Sequence, residues 1–276
     1  MDRDPRGEGG SAAAGPTEAA SHMEGANRSV DRACRLMSAF TQQEPALTLS
    51  ELSRRTALPK ATVHRMAATL LARGMLTQRL DGRYELGVKL LELGAIVREN
   101  LDVVKLCRPV IDALASSTGE TVVVAAADWS TREMLLVARR DSPHPLAVGS
   151  PVGRRMPIPP GGVLGKALLV GLEPREAEVV VGALELVPTT ANTLTERGAL
   201  LRNLSSARAR GYVSEQDEYI EGASGVAVPV IFEGNHPLAA IGVVGPTSRL
   251  ASQVHAVGPL LRNLTATLRP AGSAGE

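Results

Sequence analysis

Residues 58–87 read LPKATVHRMAATLLARGMLTQRLDGRYELG, and the order of features within them decides the fold. Pro59 suits the first turn of a helix, because its missing N–H would find no intrahelical partner there. Val63, Met66, Ala67, Leu70 and Leu71 then recur at three- and four-residue spacing, giving one apolar stripe on a helix over about 60–73. Gly74 supplies the left-handed stop. Beyond it, Asp81-Gly82 separates two short strand-like runs, Met75–Arg79 and Arg83–Leu86, which is the pattern of a hairpin. Upstream, Val30, Ala33, Cys34, Met37 and Phe40 form an earlier stripe behind Ser29, a candidate N-cap. A short helix around Leu52 follows, with Ser50 as its candidate cap. Three helices and a hairpin in this order predict a winged helix-turn-helix.

Such a unit places the first turns of its third helix against base edges. The exposed positions there should be polar and able to reach a groove. Lys60, Thr62, His64 and Arg65 meet that demand: the two cations suit phosphates or guanine acceptors, and Thr62 suits a phosphate or a thymine methyl. Arg79 and Arg83 flank the hairpin tip, where a wing meets backbone or minor groove. Thr48 can place its hydroxyl on a phosphate or cap its own helix. Charge agrees with this placement. Residues 27–100 carry twelve basic and seven acidic side chains, a net of +5, whereas the first 26 residues sum to −3 and residues 101–276 to −1. A basic segment joined to a neutral one points to a polyanionic partner.

The 276 residues suit two domains, and aromatic residues are only 2%, so the core is built mainly from Leu, Val and Ala. No apolar run is long enough to span a membrane. The acidic and basic start is unlike a secretory leader, so a cytoplasmic, nucleoid-associated protein with two inert thiols, Cys34 and Cys107, is expected. The five histidines show no metal-ligand spacing, and no metal or cofactor is expected. Residues 161–167, GGVLGKA, superficially resemble a phosphate-binding loop. The interval from Gly161 to Gly165 is one residue too short and Ala167 lacks the hydroxyl, so the reading is of a protein that is not an enzyme.

Residues 1–26 are expected to be a disordered tail, 27–87 the winged unit and 88–100 a linker helix. Residues 101–270 form a mixed domain, and 271–276 a short tail. Within the mixed domain the pattern predicts a helix over about 103–117, then strands at 121–127, 134–140 and 143–148. Helices at 161–170, 173–182 and 196–210 follow, then strands at 226–232 and 238–244 and a last helix over about 251–268. The class is α/β (α+β).

These fragments, taken together, resemble the IclR-type bacterial regulators. The resemblance runs through Ser29-Val30-Asp31-Arg32-Ala33, Leu49-Ser50-Glu51-Leu52, 58–65, 82–87 and Leu91-Glu92-Leu93-Gly94. It resumes at Thr118-Gly119-Glu120-Thr121, Ser142–Leu146, Val152–Arg155, Leu164-Gly165-Lys166-Ala167, Arg210-Gly211-Tyr212 and Gly245–Arg249, and so covers about 29–250. It implies a GAF-like C-terminal domain that binds a small organic effector and helps the chain oligomerise. It also implies a homodimer or dimer of dimers on double-stranded operator DNA, acting as repressor or activator.

By the same resemblance, backbone N–H groups of the loop containing Gly161, Gly162 and Val163 hold the effector, with Glu215 at the acidic position. The family's polar anchors are replaced here: Ser224-Gly225 stands for Arg-Cys, and Gly242 and Val244 stand for serines. Gly225 and Gly242 are expected to open volume, which predicts an effector bulkier and less polar than glyoxylate or pyruvate. The alternative is a C-terminal domain that only oligomerises.

Overall fold

The computed structural model describes residues 27–158, 162–231 and 236–268. Both expected tails, Gly161 and residues 233–235, between the strands expected at 226–232 and 238–244, lie outside the described residues. The chain divides into two units at Ala95/Ile96.

In the first unit, α1 (Arg28–Ser38), α2 (Leu49–Thr56) and α3 (Lys60–Ala72) precede a small antiparallel sheet. Its strands are β1 (Ala46–Leu47), β2 (Leu76–Gln78) and β3 (Tyr84–Leu86), in the order β1-β3-β2. Leu36, Phe40, Leu47, Leu52, Val63, Ala67, Leu76 and Tyr84 make its core. Two sequence expectations change here. Asn27, not Ser29, caps α1 through its side-chain oxygen. The α1 stripe faces inward only in part: Phe40 is buried with Leu36, while Val30 and Cys34 are exposed. Periodicity finds an apolar face but cannot tell which neighbour covers it.

Thr48, rather than Ser50, caps α2. Its hydroxyl accepts from the Glu51 N–H at 3.2 Å, and the Glu51 carboxylate accepts from the Thr48 N–H at 2.7 Å, a reciprocal capping box. That backbone hydrogen bond, with the Thr48 hydroxyl second, lowers the Glu51 pKa. Behind the hairpin, a Cβ on Gly87 would stand 2.1 Å from the Gly74 carbonyl oxygen. Only glycine lets the two chain segments pass this closely. Helix α4 (Val88–Asn100) follows.

The second unit is built on six antiparallel strands: β4 (Thr121–Asp128), β5 (Glu133–Arg140), β6 (Arg155–Pro157), β7 (Val213–Gln216), β8 (Ala223–Val230) and β9 (Ala239–Pro246). Their order is β6-β5-β4-β9-β8-β7. Alternate residues serve two cores. Val122, Val124, Val226, Val228, Ile241 and Val243 pack beneath α5 (Asp102–Thr118) and α10 (Val254–Thr265). Val123, Ala125, Leu136, Ala227 and Ala240 pack beneath α6 (Gly162–Gly171), α7 (Pro174–Gly182) and α8 (Arg197–Arg210). Both faces are covered, so the central strands read as continuous apolar runs. A single turn α9 (Thr247–Leu250) and a 3₁₀ turn, Ala251–Gln253, lead into α10, where one helix from 251 was expected.

The strand expected over 143–148 does not form. Pro143 and Pro145 remove ladder donors, and Ser142 is instead held by Thr121 Oγ1 and by the Gly119 carbonyl, to which its hydroxyl donates at 2.6 Å. Strand β7 was missed because four residues with one apolar side chain carry no period; its pairing with β8 makes it a strand.

Candidate nucleic-acid interface and internal cavity

The outward face of α3 is centred on Arg65. Val63 and Ala67 are buried, and Ala61, His64, Arg65, Ala68 and Thr69 are exposed around the other side. Ala61 and Ala68 flank the arginine with methyl groups, so the backbone can approach a groove closely while Arg65 reaches ahead of it. Thr62 is half-buried and shares a cleft with Ser29, Arg32, Arg65 and Thr69, the wall opposite α3 coming from α1. Arg32 was not among the expected contacts. Its place beside Arg65 needs the α1–α3 packing, which no local pattern reveals. Lys60 and His64 are exposed at the first turns of α3, and among the described residues no carboxylate pairs with Lys60, His64 or Arg65.

The hairpin arginines are less free. Arg79 pairs with Glu85 at 3.2 Å. Arg83 donates to the Ala46 carbonyl at 3.2 Å and lies 3.9 Å from Glu51, which ties it to the body of the unit. The tip itself is Leu80-Asp81-Gly82, with the Leu80 side chain fully exposed and Gly82 at φ +81°. Thr48 spends its hydroxyl on the capping box.

In the second unit, a cavity of about 60 Å³ lies between the sheet and the start of α6. Val123, Leu136, Met156, Leu164 and Val244 make its apolar wall, and Ser150, Glu215, Tyr219 and Ser224 its polar one. Of the expected effector contacts, Gly162, Val163, Glu215 and Val244 line it; Gly161 lies outside the described residues. Gly225 and Gly242 do not open it, which corrects the sequence reading. A Cβ on Gly225 would stand 2.6 Å from Val163 Cγ1, and one on Gly242 would stand 2.9 Å from Ala227 Cβ and 3.2 Å from Leu164 Cδ2. Both glycines let α6 settle onto β8 and β9, and its side chains occupy the space. Gly165 repeats the device on the other side of the helix, where a Cβ would stand 1.5 Å from the Ile158 carbonyl oxygen.

Glu215 sits at the meeting point of this cavity and two neighbours. One, next to Lys166 and Leu200, shares Gly162 and Glu215 with it; the other, about 550 Å³ and lined in part by Asn192, Ser214 and His255, shares Glu215 and Ser224. The Glu215 Oε2 atom is buried and, among the described residues, has no hydrogen-bond partner. Burial pushes its pKa up to about 7, against the opposing charge of Lys166. Lys166, buried on α6, is already paired with Glu218. Ser224 is held by Thr247, whose hydroxyl donates to Asp217 at 2.8 Å.

Known proteins match most of this chain. The IclR helix-turn-helix domain matches residues 29–80, and the C-terminal domain of the bacterial transcriptional regulator IclR matches residues 95–269. The chain belongs to the IclR family. It is therefore a transcriptional regulator rather than an enzyme, with a DNA-binding N-terminal domain. Transcriptional repressor IclR of Escherichia coli (strain K12) is 26% identical to it over 236 residues, covering 85% of this chain and 86% of that one. The HTH-type transcriptional regulator KdgR of the same organism is 30% identical over 212 residues, 76% and 80% of the two chains. Among solved structures, an IclR homolog from Microbacterium hydrocarbonoxydans complexed with 4-hydroxybenzoate superposes with a TM-score of 0.73 at 28% identity, over 86% of this chain and 96% of that one.

Proposed function

We propose that this IclR-family regulator binds double-stranded operator DNA in the cytoplasm, at the nucleoid, through α3 and the hairpin, and that a small organic acid in the C-terminal cavity changes its operator affinity. Residues 27–87 are the DNA-binding part, 88–100 the linker and 101–270 the sensing part. Arg65, Lys60, Thr62 and His64 read or position the DNA, with Arg79, Arg83 and Thr48 in supporting contacts. Gly162, Val163, Glu215 and Val244 contact the effector, with Gly161 in the loop beside them.

The observation that carries the effector reading is the internal cavity with an apolar wall and one polar atom, Glu215 Oε2, that has no partner among the described residues. A pocket that only stabilised an oligomer would have no reason to leave that atom unsatisfied. The 4-hydroxybenzoate complex of the Microbacterium protein supports an organic acid with an apolar body. At about 60 Å³ the cavity is smaller than the roughly 150 Å³ of an engineered cavity that holds benzene, so a ring-sized effector must displace part of the lining. Val88, Leu91, Ile96 and Val97 on α4 are each more than half exposed, and these uncovered apolar side chains support a homodimer or dimer of dimers.

Selection from randomised duplex DNA, followed by anisotropy titrations with and without 4-hydroxybenzoate, benzoate and pyruvate, tests the reading. A selected palindrome whose affinity shifts with one of the acids is expected. A selected site whose affinity no acid alters, with no acid bound calorimetrically, would leave oligomerisation as the role of the second unit.

A further inference from the structure

Glu215 is surrounded by charges that do not neutralise it. From α6 come the Val163 backbone N–H, which favours its charged form, and Lys166, whose ammonium is committed to Glu218. From its own segment come Asp217 and Glu218, both adding negative charge, and the Tyr219 ring, whose hydroxyl faces Arg154 at 3.5 Å. From β8 comes Ser224, and from α10 His255, across the larger cavity. Among the described residues, no arginine, lysine or histidine lines the small cavity itself. An organic acid bound there as its anion would meet the Glu215 carboxylate, while the one cation acting on that carboxylate, Lys166, is already committed to Glu218. The buried, unpartnered Oε2 atom resolves the conflict: with a proton on it, Glu215 becomes a donor to the ligand's carboxylate.

We infer that the small cavity takes up a monocarboxylic acid together with one proton, shared between the ligand's carboxylate and Glu215, so that the regulator responds to the acid and to pH jointly. This rests on the effector reading above. Burial supports it independently, because it places the titration of Glu215 near neutrality, where cellular pH can act on it. The ligand-free protein binds the anion only in its protonated fraction, so affinity falls about tenfold for each pH unit above the Glu215 pKa.

The test is isothermal calorimetry on the full chain with benzoate, 4-hydroxybenzoate and pyruvate at pH 5.5, 7 and 8.5. Each is run in two buffers of different ionisation enthalpy to count protons. The wild type should take up close to one proton per acid at pH 8.5 and lose at least about tenfold in affinity between pH 5.5 and 8.5. Glu215→Gln, permanently neutral, should bind with an affinity flat across that range and no proton uptake. Binding by the wild type that is independent of pH and takes up no proton would overturn the inference while leaving the effector reading intact. So would a Glu215→Gln variant that keeps the pH dependence. Should that variant not fold, the proton count on the wild type decides alone. If none of the acids binds at pH 5.5, the carboxylate reading of the cavity fails and the inference falls with it.

Discussion

Arg65 and Glu215 are the two residues whose surroundings say most about their tasks, and they are opposites. Arg65 has no carboxylate partner among the described residues and stands at the centre of a solvent face between Ala61 and Ala68, so its guanidinium is available to a partner. Arg65→Ala is expected to cost about 1–3 kcal/mol of operator binding and to relax discrimination at one base position. Lys60→Ala, if Lys60 meets a phosphate, should weaken all sequences alike and reduce the slope of log K against log salt by about one. Titration at several salt concentrations separates the two. Glu215 is half-buried, with its Oε2 atom buried and without a partner among the described residues, and its pKa in the folded state, about 7, exceeds its ordinary value of 4.5. The native state therefore holds a proton that the unfolded state has lost between those values, and stability falls as pH rises through that window. Glu215→Gln removes the titration. Its stability relative to wild type should grow from pH 4.5 to pH 7 and level off above, by an amount on the order of 2–3 kcal/mol. Urea melts at pH 5 and pH 8 read the difference directly, and equal shifts at both would contradict the burial of an ionisable group.

At the scale of elements, two devices hold the sites in place. The capping box of α2 fixes the helix that precedes α3, and Thr48→Ala should destabilise the first unit by about 1 kcal/mol. Because its hydroxyl is already engaged, most of any loss in DNA affinity should track that lost stability rather than a lost phosphate contact. Helix α6 is buried along Gly162–Val170 and lies close against β8, β9 and the chain before it through Gly225, Gly242 and Gly165. Gly165→Ala would drive a methyl group into the Ile158 carbonyl, and a backbone atom cannot turn aside. A loss at or above the roughly 1–3 kcal/mol of ordinary overpacking is expected in thermal melts. Cys107, by contrast, is a packing residue of α5: burial pushes its thiol up to about 12, which leaves no thiolate to react.

For the whole molecule, the division at Ala95/Ile96 means that the exposed face of α3 and the cavity beside α6 belong to separate cores. Scanning calorimetry should therefore resolve how each ligand acts. An acid at a hundred times its Kd should stabilise the unit that binds it by about 2.7 kcal/mol and shift only the transition assigned to 101–268. A shift of every transition together would show that the two units melt as one. The exposed apolar side chains of α4 predict self-association, and Leu91→Glu with Val97→Glu should lower the sedimentation mass and weaken binding to a palindromic site together.

The sequence by itself determined the winged helix-turn-helix and its candidate contacts, because a helical stripe, a glycine stop and an Asp-Gly turn are local signals that need no partner. It also placed most elements of the second unit and the acidic position Glu215. Tertiary structure decided what those residues face. Ser150, Tyr219 and Ser224 joined the cavity through a segment without regular structure, the turn after β7 and the start of β8, and Arg32 joined the α3 face through packing of α1. Gly225 and Gly242 show the limit most clearly. A glycine in a strand announces missing volume, but whether a ligand or a neighbouring helix fills it depends on how closely α6 approaches, and only the packed structure fixes that distance.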